Sequence, residues 1–141
     1  MGWDPMRITA DTNILVRAAV LDDPHQGALA ANLLRDGELI AVTLPALCEF
    51  ARVLGRGYRW GATEILGFIT SLLASPSVRV DRAAAEAGLA MLEAGGDFAD
   101  GVIAFDGRRL GGQIFASFDR QAADLVAAQG GDVYLLGTSA D

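Results

Sequence analysis

Lysine is absent from this sequence of 141 residues, and all 11 basic residues are arginine. Mechanisms that rest on a lysine ammonium are thereby excluded: a phosphate-binding loop of the GK[ST] kind, Schiff-base catalysis and protein-kinase chemistry. Phosphate recognition survives the loss, because arginine presents a fixed fork of donors to phosphate oxygens. Cysteine is scarce as well. Cys48 has no second cysteine to pair with, and the opening Met1-Gly2-Trp3-Asp4-Pro5 has neither the basic segment nor the apolar stretch of a secretory signal, so a reducing, cytoplasmic setting is expected. Long apolar runs are missing too. Glycine, proline or a charge interrupts each of them well before the roughly 18 residues that would suggest a membrane span. The 52% hydrophobic content is therefore assigned to a buried core, with no membrane partner expected. Basic charge is outnumbered by 18 acids, which leaves a net charge of −7 and argues against long-range attraction of a polyanion. A nucleic-acid substrate would need a local arginine surface and bound cations.

The length suits one domain that folds without disulfides or structural metals. No repeat, low-complexity tract or linker breaks it. Residues 1–5 read as an N-terminal extension and 6–138 as a single domain. Strands are expected at residues 7–10, 39–42, 78–80, 113–117 and 133–136. Helices are expected from Ile14, over 24–35, from Thr43-Leu44-Pro45 onward, over 62–74, from Asp81 to about Glu93, over 97–110 and over 120–128. In the second helix, Ala28, Ala31 and Leu34 recur at helical spacing as the expected inner face. Strands alternating with helices predict an α/β fold: three layers, α/β/α, around a central parallel sheet of about four to five strands.

Ligands of open parallel sheets gather beyond the carboxyl ends of the strands. Asp11 follows the first strand and Asp119 follows the fourth, each at a strand-to-helix turn; Glu49 falls within the third helix, and Asp100 in the first turn of the helix after Gly95-Gly96. Carboxylates sharing one cleft repel each other unless protonated or bound to a cation. An all-oxygen donor set suits Mg²⁺ or Mn²⁺ and disfavours Zn²⁺. Such a centre binds a phosphate oxygen, activates water and promotes in-line displacement at phosphorus. Structural readings stand beside this one. Asp11 and Asp119 sit where helix caps belong, and Asp97, three residues before Asp100, reads as an N-cap. Arg52 and Arg56, three and seven residues beyond Glu49, are expected on its helical face, either pairing with acids or holding phosphates. His25, the one histidine, opens a helix without a visible partner and reads as solvated or capping. Cys48 reads as a small buried hydrophobe. Trp3, Trp60 and the phenylalanines are assigned to the core or a dimer surface.

Four segments together resemble the PIN-domain ribonucleases, and within them the VapC-type toxins of bacterial toxin–antitoxin pairs. They are Asp11-Thr12-Asn13-Ile14-Leu15-Val16-Arg17 with Asp22-Asp23-Pro24; Glu49 with Val53-Leu54; Asp97-Phe98-Ala99-Asp100-Gly101-Val102-Ile103-Ala104; and Ser117-Phe118-Asp119-Arg120. The resemblance spans nearly the whole chain. It implies that Asp11, Glu49, Asp100 and Asp119 are metal-binding catalytic acids. Thr12, Asn13, Ser117 and Asp97 become candidates for supporting hydrogen bonds, and Arg52, Arg56 and Arg120 for RNA contact. It also implies Mg²⁺ or Mn²⁺ as cofactor, RNA as substrate, a cognate antitoxin and a homodimer. The chain departs from the pattern at Phe105-Asp106-Gly107, where such helices carry small apolar residues. Among rivals, a phosphatase of the haloacid-dehalogenase kind needs an aspartate where Asn13 stands and a lysine that is missing, and a receiver-type signalling domain lacks the same lysine. A catalytically silent PIN fold that only binds protein is the remaining alternative.

Overall fold

The computed structural model describes residues 6–137. The expected extension at residues 1–5, with Trp3, and the expected domain end at 138 lie outside the described residues. The chain divides into two compact units, Met1–Arg82 and Ala83–Asp141.

In the first unit the elements run β1 (Arg7–Thr9), α1 (Thr12–Val20), α2 (Pro24–Asp36), β2 (Leu39–Ala41), α3 (Leu44–Arg52), a π-helical turn (Val53–Gly57), α4 (Ala62–Ala74) and β3 (Val78–Arg79). The strands form a sheet in the order β1-β2-β3, every pairing parallel, with Ile8 opposite Ile40 and Ile40 opposite Val78. Ile40 and Val78 are buried, as expected of short apolar strands in a parallel sheet. Helix starts follow their caps: Asp23 accepts from Gln26 N at 3.0 Å with Pro24 in the first turn, and Thr43 accepts from Ala46 N at 3.2 Å ahead of Pro45. Proline is favoured there because that N–H has no intrahelical partner. On α4, Ile65, Ile69, Leu72 and Leu73 form the buried stripe of an amphipathic helix.

One inner face differs from expectation. On α2 the buried residues are Gly27 and Ala30, whereas Ala28 and Ala31 are exposed and Leu34 is half-buried. The cause is close approach to the end of α1. A Cβ at Gly27 would lie 3.1 Å from Leu21 Cδ2 and 3.3 Å from the Arg17 carbonyl oxygen, so the glycine, not the alanine beside it, faces inward. Cys48 is half-buried rather than buried.

The second unit contains α5 (Arg82–Glu93, its first residue at the boundary), α6 (Phe98–Arg109), β4 (Ile114–Ser117), α7 (Arg120–Ala128) and β5 (Asp132–Leu135). β4 and β5 pair in parallel, with Phe115 opposite Val133. The fold is thus α/β with parallel strands, and the described strands form a three-stranded and a two-stranded sheet. Gly95 ends α5 at φ +100°, a left-handed conformation that side chains oppose.

Two further glycines let α5 and α6 approach. A Cβ at Gly88 would lie 2.6 Å from the buried Phe98 ring, and one at Gly101 would collide with the Ala87 carbonyl oxygen and sit 2.7 Å from Met91 Cβ. Gly101→Ala is therefore expected to destabilise the protein by about 1–3 kcal/mol, as overpacking does. Chemical denaturation measures this, and an unchanged midpoint would contradict the packing. The departure at Phe105-Asp106-Gly107 is accommodated on the outer part of α6. There Arg109 lies 4.8 Å over the Phe105 ring and pairs with Asp106, joining a cation–π contact to an ion pair one turn along the helix.

Candidate active site

In the first unit, a cleft of ≈ 420 Å³ opens beyond β1, lined by Thr9, Ala10, Asp11, Thr12, Thr43, Pro45 and Ala46. Asp11 stands at the turn from β1 into α1 and is exposed. Its Oδ1 accepts the Thr12 N–H at 2.8 Å, so one oxygen holds the turn, and Oδ2 has no protein donor among the described residues. Glu49 is exposed on α3, four residues after the cleft-lining Pro45 and three after Ala46, on the helix face those positions share. Thr43, read in the sequence as a helix start but not as a site residue, both lines this cleft and caps α3. A threonine three residues before Ala46 and just ahead of Leu44-Pro45 was the available signal. No hydrogen bond is made by the side chains of Thr12 or Asn13 among the described residues.

Arg52 ends α3 and is exposed, as is Arg56. The π-helical turn corrects the expected common face. Between Val53 and Gly57 each turn takes more residues than in an α-helix, so the seven residues from Glu49 to Arg56 are no longer two plain α-helical turns. Neither arginine pairs with an acid among the described residues, whereas Arg7, Arg17, Arg35 and Arg109 do.

In the second unit, Asp97 and Asp119 are both electrostatic neighbours of Asp100. The Asp100 carboxyl is pushed above the usual carboxylate range, chiefly by partial burial and further by the charges of Asp97 and Asp119. Its place in the first turn of α6 would favour the anion, so burial and repulsion outweigh the helix dipole. Asp97 holds the N-cap position of α6 with extended φ and ψ, yet its side chain makes no capping hydrogen bond. The expected cap is positional only, and the carboxylate acts on Asp100 instead. Asp119 caps α7, its Oδ1 accepting from Ala122 N at 3.2 Å, and its own N–H donates to Ser117 Oγ at 2.9 Å. Ser117 thus shapes the turn that presents Asp119, whose Oδ2 is left without a protein donor among the described residues. Arg120 follows, exposed.

Among the described residues, no three side chains of the His, Cys, Asp and Glu types converge closely enough to hold a metal ion. In the second unit the donor chemistry nevertheless suits a hard divalent cation: carboxylate oxygens only, Asp119 Oδ2 without a protein donor, and an Asp100 carboxyl that resists ionising beside its neighbours. His25 is exposed in the first turn of α2. No helix among the described residues is long and apolar enough to cross a membrane.

A search among curated proteins found no match. The family model described as PIN domain matches residues 8–127, a span that takes in Asp11, Glu49, Asp97, Asp100, Ser117 and Asp119. With parallel α/β architecture and acids at the turns after β1 and β4, the chain belongs to the PIN domain family and has its nuclease-type fold.

Proposed function

We propose that this protein is a divalent-metal-dependent endoribonuclease and the toxin of a toxin–antitoxin pair, with Asp11 and Glu49 of the first unit and Asp100 and Asp119 of the second as its catalytic acids. The observation that carries the reading is Asp100: a partly buried carboxyl held close to Asp97 and Asp119 has its anionic form disfavoured, a cost that a bound cation removes. Mg²⁺ or Mn²⁺, when bound, supplies Lewis acidity at phosphorus and a more acidic water. The chain's own contribution is placement. Asp11 and Asp119 each commit Oδ1 to a backbone N–H, which fixes the carboxylate and leaves Oδ2 for the cation. Ser117 holds the Asp119 backbone in the required turn. Asp97 adds negative potential beside Asp100, and Glu49 supplies a further exposed carboxylate from α3. Thr12 and Asn13 stand beside Asp11 as polar support. Arg52, Arg56 and Arg120 meet phosphates of the RNA.

The homodimer and the antitoxin partner rest on the resemblance of the four acidic segments to VapC-type toxins, and the cytoplasmic setting on the single, unpairable cysteine. Incubating the purified protein with labelled RNA, Mg²⁺ or Mn²⁺, and EDTA tests the activity. Cleavage with metal that stops with EDTA is expected. Binding of RNA or protein with no cleavage under any metal would replace the reading with that of a silent binding module. Hydrolysis of phosphomonoesters alone would replace it with a phosphatase.

A further inference from the structure

Residues 52–60, Arg-Val-Leu-Gly-Arg-Gly-Tyr-Arg-Trp, carry three of the chain's 11 arginines and two of its four Tyr and Trp residues, and residues 50–63 contain no acid. In a chain of net charge −7 this is a local basic and aromatic surface, and its arginines are available. Arg52, Arg56 and Arg59 are exposed and form no ion pair among the described residues, unlike Arg7, Arg17, Arg35 and Arg109. Tyr58 and Trp60 are half-buried.

The backbone here is unusual and tied in place. The π-helical turn over Val53–Gly57 closes with Tyr58 N donating to the Val53 carbonyl at 3.2 Å, and Trp60 N donates to the Leu54 carbonyl at 2.9 Å. Arg59 has φ 59° and Leu21 has φ 62°, left-handed values that are costly for bulky residues and persist only where the surroundings enforce them. A hydrogen-bonded bridge joins the residues next to these two positions. Tyr58 OH donates to Asp22 Oδ2 at 3.2 Å, and Asp22 Oδ1 accepts from Arg17 Nη1 at 2.7 Å. The phenol is thereby fixed at its outer end, and a ring fixed before binding loses less freedom when a base stacks on it.

We propose that residues 52–60 form a binding track for single-stranded RNA, with Arg52, Arg56 and Arg59 on successive phosphates, Tyr58 and Trp60 as base-stacking surfaces, and Asp22 as the residue that positions Tyr58. This deepens the ribonuclease reading and rests on it for the choice of RNA. Alternation of unpaired arginines with aromatic rings is what single strands require, since every base has a face to stack and every linkage a charge. An acidic peptide would use the arginines and leave the rings idle. Gly57 between Arg56 and Tyr58 is exposed, with nothing nearer than 3.9 Å to a Cβ built there, so the backbone there can be approached closely.

The test is fluorescence anisotropy of a labelled single-stranded RNA in EDTA, where binding is read without cleavage, across a salt series, with melting curves for every variant. Tyr58→Ala is expected to weaken binding roughly tenfold, within the range of base–aromatic stacking. Arg52→Gln, Arg56→Gln and Arg59→Gln are each expected to lower the logarithmic salt slope by about 0.7, the counterion release per contact on a single strand. Asp22→Ala, which removes the acceptor of the Tyr58 hydroxyl, is expected to weaken RNA binding through Tyr58, and to add little when Tyr58 is already alanine. If Tyr58→Ala destabilises the protein, Tyr58→Phe keeps the ring and loses the tie, with binding expected to match that of Asp22→Ala. Unchanged affinity and salt slope in all the variants would overturn the track even if the protein cleaves RNA. So would tight binding of poly-glutamate with none of RNA. Variant-sensitive RNA binding by a protein that never cleaves would support the track while removing the nuclease assignment.

Discussion

Asp100→Asn is expected to lower metal-dependent RNA cleavage by at least about 100-fold, because a ligand of a Lewis-acidic cation contributes several kcal/mol to the transition state. The same substitution is expected to raise the melting temperature of the metal-free protein at neutral pH. The Asp100 carboxyl titrates above the ordinary range in the folded chain through partial burial, Asp97 and Asp119. The folded state therefore binds its proton more tightly than the unfolded state does. Stability from this group is fully present below the unfolded value of about 3.9 and is lost as pH rises through the elevated folded value. At neutral pH the wild type carries that loss to the extent that Asp100 is ionised, whereas asparagine, similar in shape and uncharged, does not. The gap between variant and wild type should close as the pH falls below about 3.9. Melting curves in EDTA at several pH values measure it. A variant less stable than wild type at pH 7 would contradict the electrostatic account, and one that cleaves normally would remove Asp100 from the site.

Asp119 separates into two roles that different substitutions report. Asp119→Asn keeps an oxygen for the Ala122 N–H and should preserve stability, since asparagine caps nearly as well as aspartate. It should still lower cleavage by at least about 100-fold, because a neutral amide is a poor ligand for a hard cation. Asp119→Ala should lose the same activity and in addition about 1 kcal/mol of stability, a drop of about 2–4 °C for a protein of this size. Equal melting temperatures for the two variants would deny the cap, and an active Asp119→Asn would deny the metal role.

Asp97 illustrates what a sequence reveals and what it withholds. Its position after Gly95-Gly96 announced a helix start, and α6 begins at Phe98. Whether the carboxylate turns back onto the helix or toward Asp100 depends on side-chain geometry that spacing does not encode. The strands and most helix bounds were legible, because apolar runs, proline at first turns and glycine stops are local signals; α4 falls on residues 62–74 as expected. Two features were hidden because they arise from tertiary approach. Gly27 turns α2 by roughly one position so that Ala30 is buried and Ala28 is not. The π-helical turn after Arg52 has no periodicity signature, and it removed the simple helical relation between Glu49 and Arg56. Asp11, Asp100 and Asp119 were marked in the sequence by their place at strand ends and a helix start, and the capping read there for Asp11 and Asp119 is seen in their hydrogen bonds to Thr12 N and Ala122 N.

Calorimetric titration of Mn²⁺ into the purified protein tests the central claim most directly, since the proposed metal binding by the four acids can be read before any question of substrate. Wild type is expected to give a saturable isotherm, and Asp11→Asn, Glu49→Gln, Asp100→Asn and Asp119→Asn each to bind at least about tenfold more weakly, because removing a ligand costs no less than removing one of its supports. A wild-type protein without saturable Mn²⁺ binding, or four variants that bind as wild type does, would contradict the metal-centred account.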